Sequence, residues 1–119
     1  MKPAKLNLII YQGSTFIKGF SWQTGDPAQP VNLTGYTARM QIRTKVTDID
    51  VLLELTTEND RIIITDPING KFELYISSND TTNLQFKSAV YDLELISPSG
   101  IVTTRILEGN VTLSFEVTR

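Results

Sequence analysis

Two acidic side chains are the first residues in this sequence whose types and spacing suggest chemistry. Asp92 and Glu94 stand two apart in the segment YDLELI, which places both carboxylates on one face of a β-strand. Two carboxyl groups at such a short distance match the separation of the catalytic carboxyl groups in retaining glycosidases. A solvated strand face accounts for them equally well, and a chain of 119 residues is small to build a sugar cleft. We therefore expect no enzyme.

A second acidic pair, Asp48 and Asp50, lies in the segment TDIDV. Carboxylates with this spacing begin many calcium loops, which add further oxygen ligands and a glycine within about a dozen residues. Here the next three residues, 51–53, are all apolar. We interpret the pair as exposed loop residues and expect neither a metal nor any other cofactor.

The composition narrows the function further. The sequence has no cysteine and no histidine, which excludes disulfides, thiolate nucleophiles, the usual zinc sites and unaided proton transfer near neutral pH. It has no S-x-x-K motif and no glycine-rich phosphate loop. Its net charge of -2 provides no positive field for nucleic acid or anionic lipid. We expect neither nucleic acid nor a membrane as a partner.

Alternation of apolar and polar residues with a period of two dominates the chain and predicts β-strands. The alternating segments are 5–11, 15–22, 36–43, 71–77, 89–96 and 110–117, with short apolar runs at 51–56 and 61–65. Segment 77–85 has serine and aspartate caps suited to one helical turn. The pattern predicts an all-β chain, with residues 1–119 forming a single antiparallel, immunoglobulin-like β-sandwich of about 7–9 strands and at most one short helical turn.

The last third of the chain predicts a meander of three strands. The turn SPSG at 97–100 ends the strand 89–96, and EGN at 108–110 turns the chain into 110–117. The final strand would then lie at a sheet edge with unpaired backbone groups. We also expect Trp22 to be the packing centre of the core, because a single tryptophan in a small sandwich usually has that role.

Two arginines mark a candidate partner interface. Arg39 and Arg43 alternate with apolar residues in PVNLTGYTARMQIR, residues 30–43, so both should point to the polar face of the strand. Guanidinium groups suit the carboxylates of a partner, and they suit acidic residues on a neighbouring strand equally well. We assign Arg39, Arg43 and the C-terminal Arg119 as candidate interface residues and keep the solvated face as the alternative.

Several segments resemble short virion proteins of tailed bacteriophages: LIIYQGSTF, PVNLTGYTARMQIR, LLELTTEN, VYDLELISPSG and the final EVTR. The second is also similar to the N-terminal β-sandwich domains of phage baseplate proteins, where V-D-L-T-G introduces a strand, although Asn32 stands here for the aspartate. The resemblance implies a non-enzymatic adaptor at the tail, baseplate or fibres, made in the bacterial cytoplasm and located in the virion. Its partners would be other virion proteins and copies of itself.

Two other functions remain open. A capsid decoration protein would use the same kind of protein contacts at another place in the particle. A receptor-binding module would hold host glycans on exposed aromatic rings such as Tyr11, Tyr36 or Tyr75. Because most aromatic residues fall at inward positions of the predicted strands, we favour the structural role.

Overall fold

The computed structural model describes residues 2–118. Strands make up 50 % of the chain and helix 4 %, which confirms the all-β prediction. The elements are β1 (Ala4–Lys5), β2 (Leu8–Tyr11), β3 (Phe16–Ser21), β4 (Gln23–Thr24), β5 (Gln29–Pro30), β6 (Thr37–Arg43), β7 (Leu53–Thr56), β8 (Ile62–Asp66), β9 (Lys71–Ile76), α1 (Ser78–Thr82), β10 (Ser88–Ile96) and β11 (Thr103–Ser114). The single helical turn lies inside the segment predicted for it.

Six strands form the larger sheet, in the order β1-β11-β10-β6-β7, with β2 also paired to β11. Its central strands are antiparallel, as predicted. β1 and β2 instead run parallel to β11, with Ala4 opposite Leu107 and Leu8 opposite Val111. The prediction of a purely antiparallel sheet is therefore wrong at this edge. Apolar alternation has the same period in both kinds of strand and carries no information about direction.

The predicted C-terminal meander is also wrong, because β11 runs unbroken through the EGN segment. Gly109 lies so close to the N-terminal segment that a Cβ there would overlap the Leu6 carbonyl oxygen. The glycine serves close backbone approach here and not a turn. β11 has β10 on one side and β1 and β2 on the other, so it is not an edge strand. Arg119, assigned to that edge, lies outside the described residues.

Three strands form a second sheet in the order β3-β9-β8, and β4 and β5 form a two-residue ladder. Phe20 on β3 lies opposite Phe72 on β9, and their rings stack with centroids 5.4 Å apart. The β8–β9 turn needs Gly70, whose φ is 68°. A Cβ there would lie 2.6 Å from the Trp22 carbonyl oxygen, so the turn packs directly on the chain after β3.

One hydrophobic cluster takes its residues from both sheets. The larger sheet contributes, among others, Leu8, Ile10, Met40, Ile42, Leu55, Leu93, Leu95, Val111 and Leu113, and the smaller sheet contributes Ile62, Phe72, Leu74 and Ile76. Trp22 is only partly buried against this cluster and meets Tyr36 edge to face, with ring centroids 6.4 Å apart. The prediction that Trp22 is the packing centre is wrong. Phe72 is the largest side chain that is fully buried.

α1 anchors the turn that follows β2. The Ser77 side chain caps the helix by accepting a hydrogen bond from the Asp80 amide. The buried Thr81 hydroxyl donates to the Ser14 carbonyl at 2.9 Å and accepts from the Gly13 amide at 3.0 Å. Across residues 2–118, no helix has the length and apolar character needed to cross a bilayer.

Candidate functional site

Alternate residues of the larger sheet point away from the hydrophobic cluster and form what we call the outer face. Strand register arranges them in two rows that cross the sheet. The first row is Glu54, Gln41, Asp92, Glu108 and Lys5, and the second is Thr56, Arg39, Glu94 and Arg105. The register therefore places the predicted Arg39 opposite Glu94, one of the two carboxylates singled out in the sequence, and Asp92 lies in the other row.

Arg39 forms a cross-strand ion pair. Its Nε lies 2.8 Å from Oε1 of Glu94, which is the residue directly opposite it on β10. The Arg39 side chain is nevertheless about half exposed, at 53 %. An exposed pair of this kind contributes little to stability, on the order of 0.2–1 kcal/mol. The geometry matches the solvated-face alternative, and it also leaves the guanidinium accessible to a partner.

Arg43 binds its own chain. Its Nη1 donates to the carbonyl oxygens of Asp48 and Ile49, at 2.7 and 2.6 Å, and its Nη2 donates to the Gln41 side chain at 2.6 Å. The guanidinium therefore fastens the loop between β6 and β7 to the end of β6. This fork geometry explains why an arginine and not a lysine suits the position.

A concavity of about 490 Å³ opens on the outer face, beside β1 and the β6–β7 loop. Its charged lining consists of Lys5, Arg43, Asp92, Arg105 and Glu108. Arg105 bridges the two acids, with Nε 3.4 Å from Asp92 and Nη1 3.5 Å from Glu108. Arg105 thus pairs with both acids of this concavity within the chain, and neither sign of charge dominates its lining.

Burial changes the titration of two neighbouring groups in this region. Burial, reinforced by Glu108, raises the pKa of Tyr91 to about 12. The Tyr91 hydroxyl donates to the Leu6 carbonyl at 2.8 Å, so the neutral form is also the one that bonds. Burial raises the pKa of Asp92 as well, with Arg105 opposing it and Glu94 and Glu108 adding to it.

The carboxylate pairs of the sequence take different positions. Asp92 and Glu94 share the outer face, and each lies beside an arginine. Asp48 enters the Arg43 contact through its backbone carbonyl. Within the described part of the chain, no three acidic side chains are grouped closely enough to hold a metal ion.

The three tyrosines proposed to hold glycans lie in different parts of the sequence of elements. Tyr11 ends β2 and is 58 % exposed, and Tyr75 lies on β9 of the other sheet. Tyr36 packs on Trp22. These rings belong to separate segments of the chain.

β2 presents an exposed apolar surface that was not predicted from the sequence. Ile9 and Tyr11 alternate with the buried Leu8 and Ile10, yet they are 52 % and 58 % exposed. Beyond β11, Phe115 and Val117 are exposed as well. The available signal was the unbroken apolar run LIIY, which exceeds what a strand with one solvated face requires.

A scan against protein-family models finds no match for this chain. A search of curated proteins finds no match either.

Proposed function

We propose that this chain is a non-enzymatic structural component of a tailed phage particle, an adaptor that joins other virion proteins at the tail, baseplate or fibres. The sequence resemblance over several segments supports a location in the phage particle. The arrangement of exposed side chains supports a role in protein–protein contacts. On the outer face Arg39 pairs with Glu94, and Arg105 pairs with Asp92 and Glu108, while large apolar side chains are exposed at β2 and after β11. This distribution of exposed apolar groups is the observation that carries the proposal.

We further propose that the two sheets pack face to face as an immunoglobulin-like β-sandwich. The support is that inward residues of both sheets belong to one hydrophobic cluster. Met40 and Leu93 from the larger sheet and Phe72 from the smaller one are all buried in it. Such a rigid body with short loops suits a subunit that is held between neighbours.

Arg39 is the candidate contact residue that we retain for partner binding. The Arg39 side chain is about half exposed on the outer face. Arg43, in contrast, donates hydrogen bonds to backbone carbonyls of the β6–β7 loop. A carboxylate from a partner would find Arg39 already oriented by Glu94.

Mass spectrometry and cryo-electron microscopy of particles purified from the phage that encodes the chain test the proposal. The chain should be present in stoichiometric amount, and the map should place it at the tail, baseplate or fibres. Density on the capsid surface would instead support the decoration-protein alternative. A chain absent from particles would contradict both.

Host-glycan binding is the second candidate, favoured by the exposure of Tyr11. A glycan array probed with the intact protein and with Tyr11→Ala separates this candidate from the structural role. Binding that is lost in the variant would support recognition of sugars. An array on which the protein binds no glycan would exclude this candidate function.

A further inference from the structure

We propose that β2 is a self-association strand, which pairs antiparallel with β2 of a second copy of the chain. Its four residues, Leu8–Tyr11, are all apolar or aromatic and form a free sheet edge. Proteins usually protect such an edge with a charge, a proline or a bulge, because unpaired backbone groups attract another strand. β2 has none of these within its span.

Most of the other edge strands carry such protection, and the two-residue β4, which does not, has no apolar side chain. β7 has Glu54, β3 has Lys18, and β1 has Lys5. β8 has a register irregularity between Ile63 and Asp66. Among the edge strands of the described chain, β2 is thus the one that has exposed apolar side chains and no charge, proline or bulge.

The backbone of β2 presents free hydrogen-bonding groups on the required side. The amides of Leu6 and Gln12 donate to β11, to the carbonyls of Glu108 and Ser114, both at 2.9 Å. Since amides alternate sides along a strand, those of Ile9 and Tyr11 point away from β11. The Ile9 carbonyl points the same way, so one residue offers both a donor and an acceptor.

A second copy fits this edge because the edge is complementary to itself. With a two-fold axis at Ile9, the Ile9 amide of each copy donates to the Ile9 carbonyl of the other. The same register places Tyr11 opposite Asn7 and Lys5 opposite Gly13. The Glu116 carboxylate lies directly against Gly13, so the lysine of one copy meets the acid of the other at both ends of the interface.

This inference rests on the proposed function in one respect, since an adaptor is expected to contact copies of itself. The two can fail separately. A chain found in particles but monomeric in solution would contradict β2 pairing alone. A dimer through β2 in a chain that is absent from particles would contradict the particle role alone.

Sedimentation equilibrium of the full chain over a wide concentration range tests the inference. The wild type should dimerise, and Ile9→Lys should weaken the dimer at least about tenfold, because two like charges would lie directly opposite each other. Ile17→Lys is the matched control: Ile17 lies on the edge strand β3 and is 60 % exposed. That control should dimerise as the wild type does. A monomeric wild type, or equal effects of both variants, would overturn the inference.

A cross-linking experiment tests the β2 pairing independently if Ile9→Lys fails to fold. The chain has no cysteine, so Ile9→Cys introduces a single thiol at the proposed axis. Under mild oxidation it should form a disulfide-linked dimer in high yield, because facing residues of an antiparallel pair bring their Cβ atoms within reach. Ile17→Cys should cross-link little. Equal yields from both positions would refute the pairing.

Discussion

At the scale of single residues, Tyr91 connects three parts of the molecule. It lies on β10 in the larger sheet, opposite Gly109 of β11, and its hydroxyl reaches the Leu6 carbonyl between β1 and β2. The two residues are 85 positions apart in the sequence, so no local sequence pattern predicts their contact. A buried tyrosine usually finds such a partner for its hydroxyl, because an unpaired one would be costly.

Tyr91→Phe should lower the free energy of unfolding by about 1 kcal/mol, because it removes this hydrogen bond and leaves the Leu6 carbonyl without its donor. The variant should also change the response to alkali. The folded pKa of about 12 exceeds the ordinary value of 10.0, so Tyr91 contributes stability below pH 10 that is lost as pH rises toward 12. Urea unfolding at several pH values between 8 and 12 should show a shallower decline in the variant. An identical decline would contradict this role.

Thr81 offers a second test at this scale. Thr81→Val should cost about 1–3 kcal/mol, since it removes the hydroxyl of a buried side chain and with it the partly buried hydrogen bonds to the Gly13 amide and the Ser14 carbonyl. Thr82→Val is the neighbouring control, because that hydroxyl is exposed and bonds only within the helix. It should change stability by less than about 0.5 kcal/mol. Thermal melts of both variants give the comparison, and equal losses would rule out the anchoring role of Thr81.

At the scale of elements, the N-terminal segment completes the larger sheet. β1 and β2 cover the side of β11 that β10 leaves open, and they bring Leu8 and Ile10 into the hydrophobic cluster. Gly109 makes this possible by letting two backbones approach closely. The edge of the sheet is thereby moved from the long β11 to the short β1 and β2.

Gly109→Ala should destabilise the protein by about 1–3 kcal/mol, because the new methyl group would overlap the Leu6 carbonyl and push β1 away from β11. Gly19→Ala on β3 is the matched control, since its Cβ would meet no atom within 4 Å. That variant should be neutral or gain a few tenths of a kcal/mol. Chemical denaturation measures both. A harmless Gly109→Ala would show that the N-terminal segment does not pack as described.

At the scale of the whole molecule, one hydrophobic cluster joins both sheets. Buried residues of both sheets belong to it. Cooperative unfolding follows from this arrangement, because loss of either sheet exposes the shared core.

Phe72→Ala in the smaller sheet and Leu93→Ala in the larger one should each lower stability by about 2–5 kcal/mol. In both variants, Trp22 fluorescence and far-ultraviolet circular dichroism should report the same unfolding midpoint. Thr112→Ala, at an exposed position of β11, should leave that midpoint nearly unchanged. Separate midpoints for the two probes would mean that the sheets unfold independently.

The sequence by itself determined the class of this protein and the faces of its strands. Period-two alternation correctly predicted β6, β9 and β10 and the inward positions of Met40 and Leu93, and the capping residues correctly predicted the helical turn in 77–85. These features depend on neighbours along the chain, so local residue order specifies them. The tertiary structure decided the parallel N-terminal edge, the unbroken β11 and the partner of each charge. Those depend on which strand lies alongside, and residues such as Leu6 and Tyr91 meet only after the chain has folded.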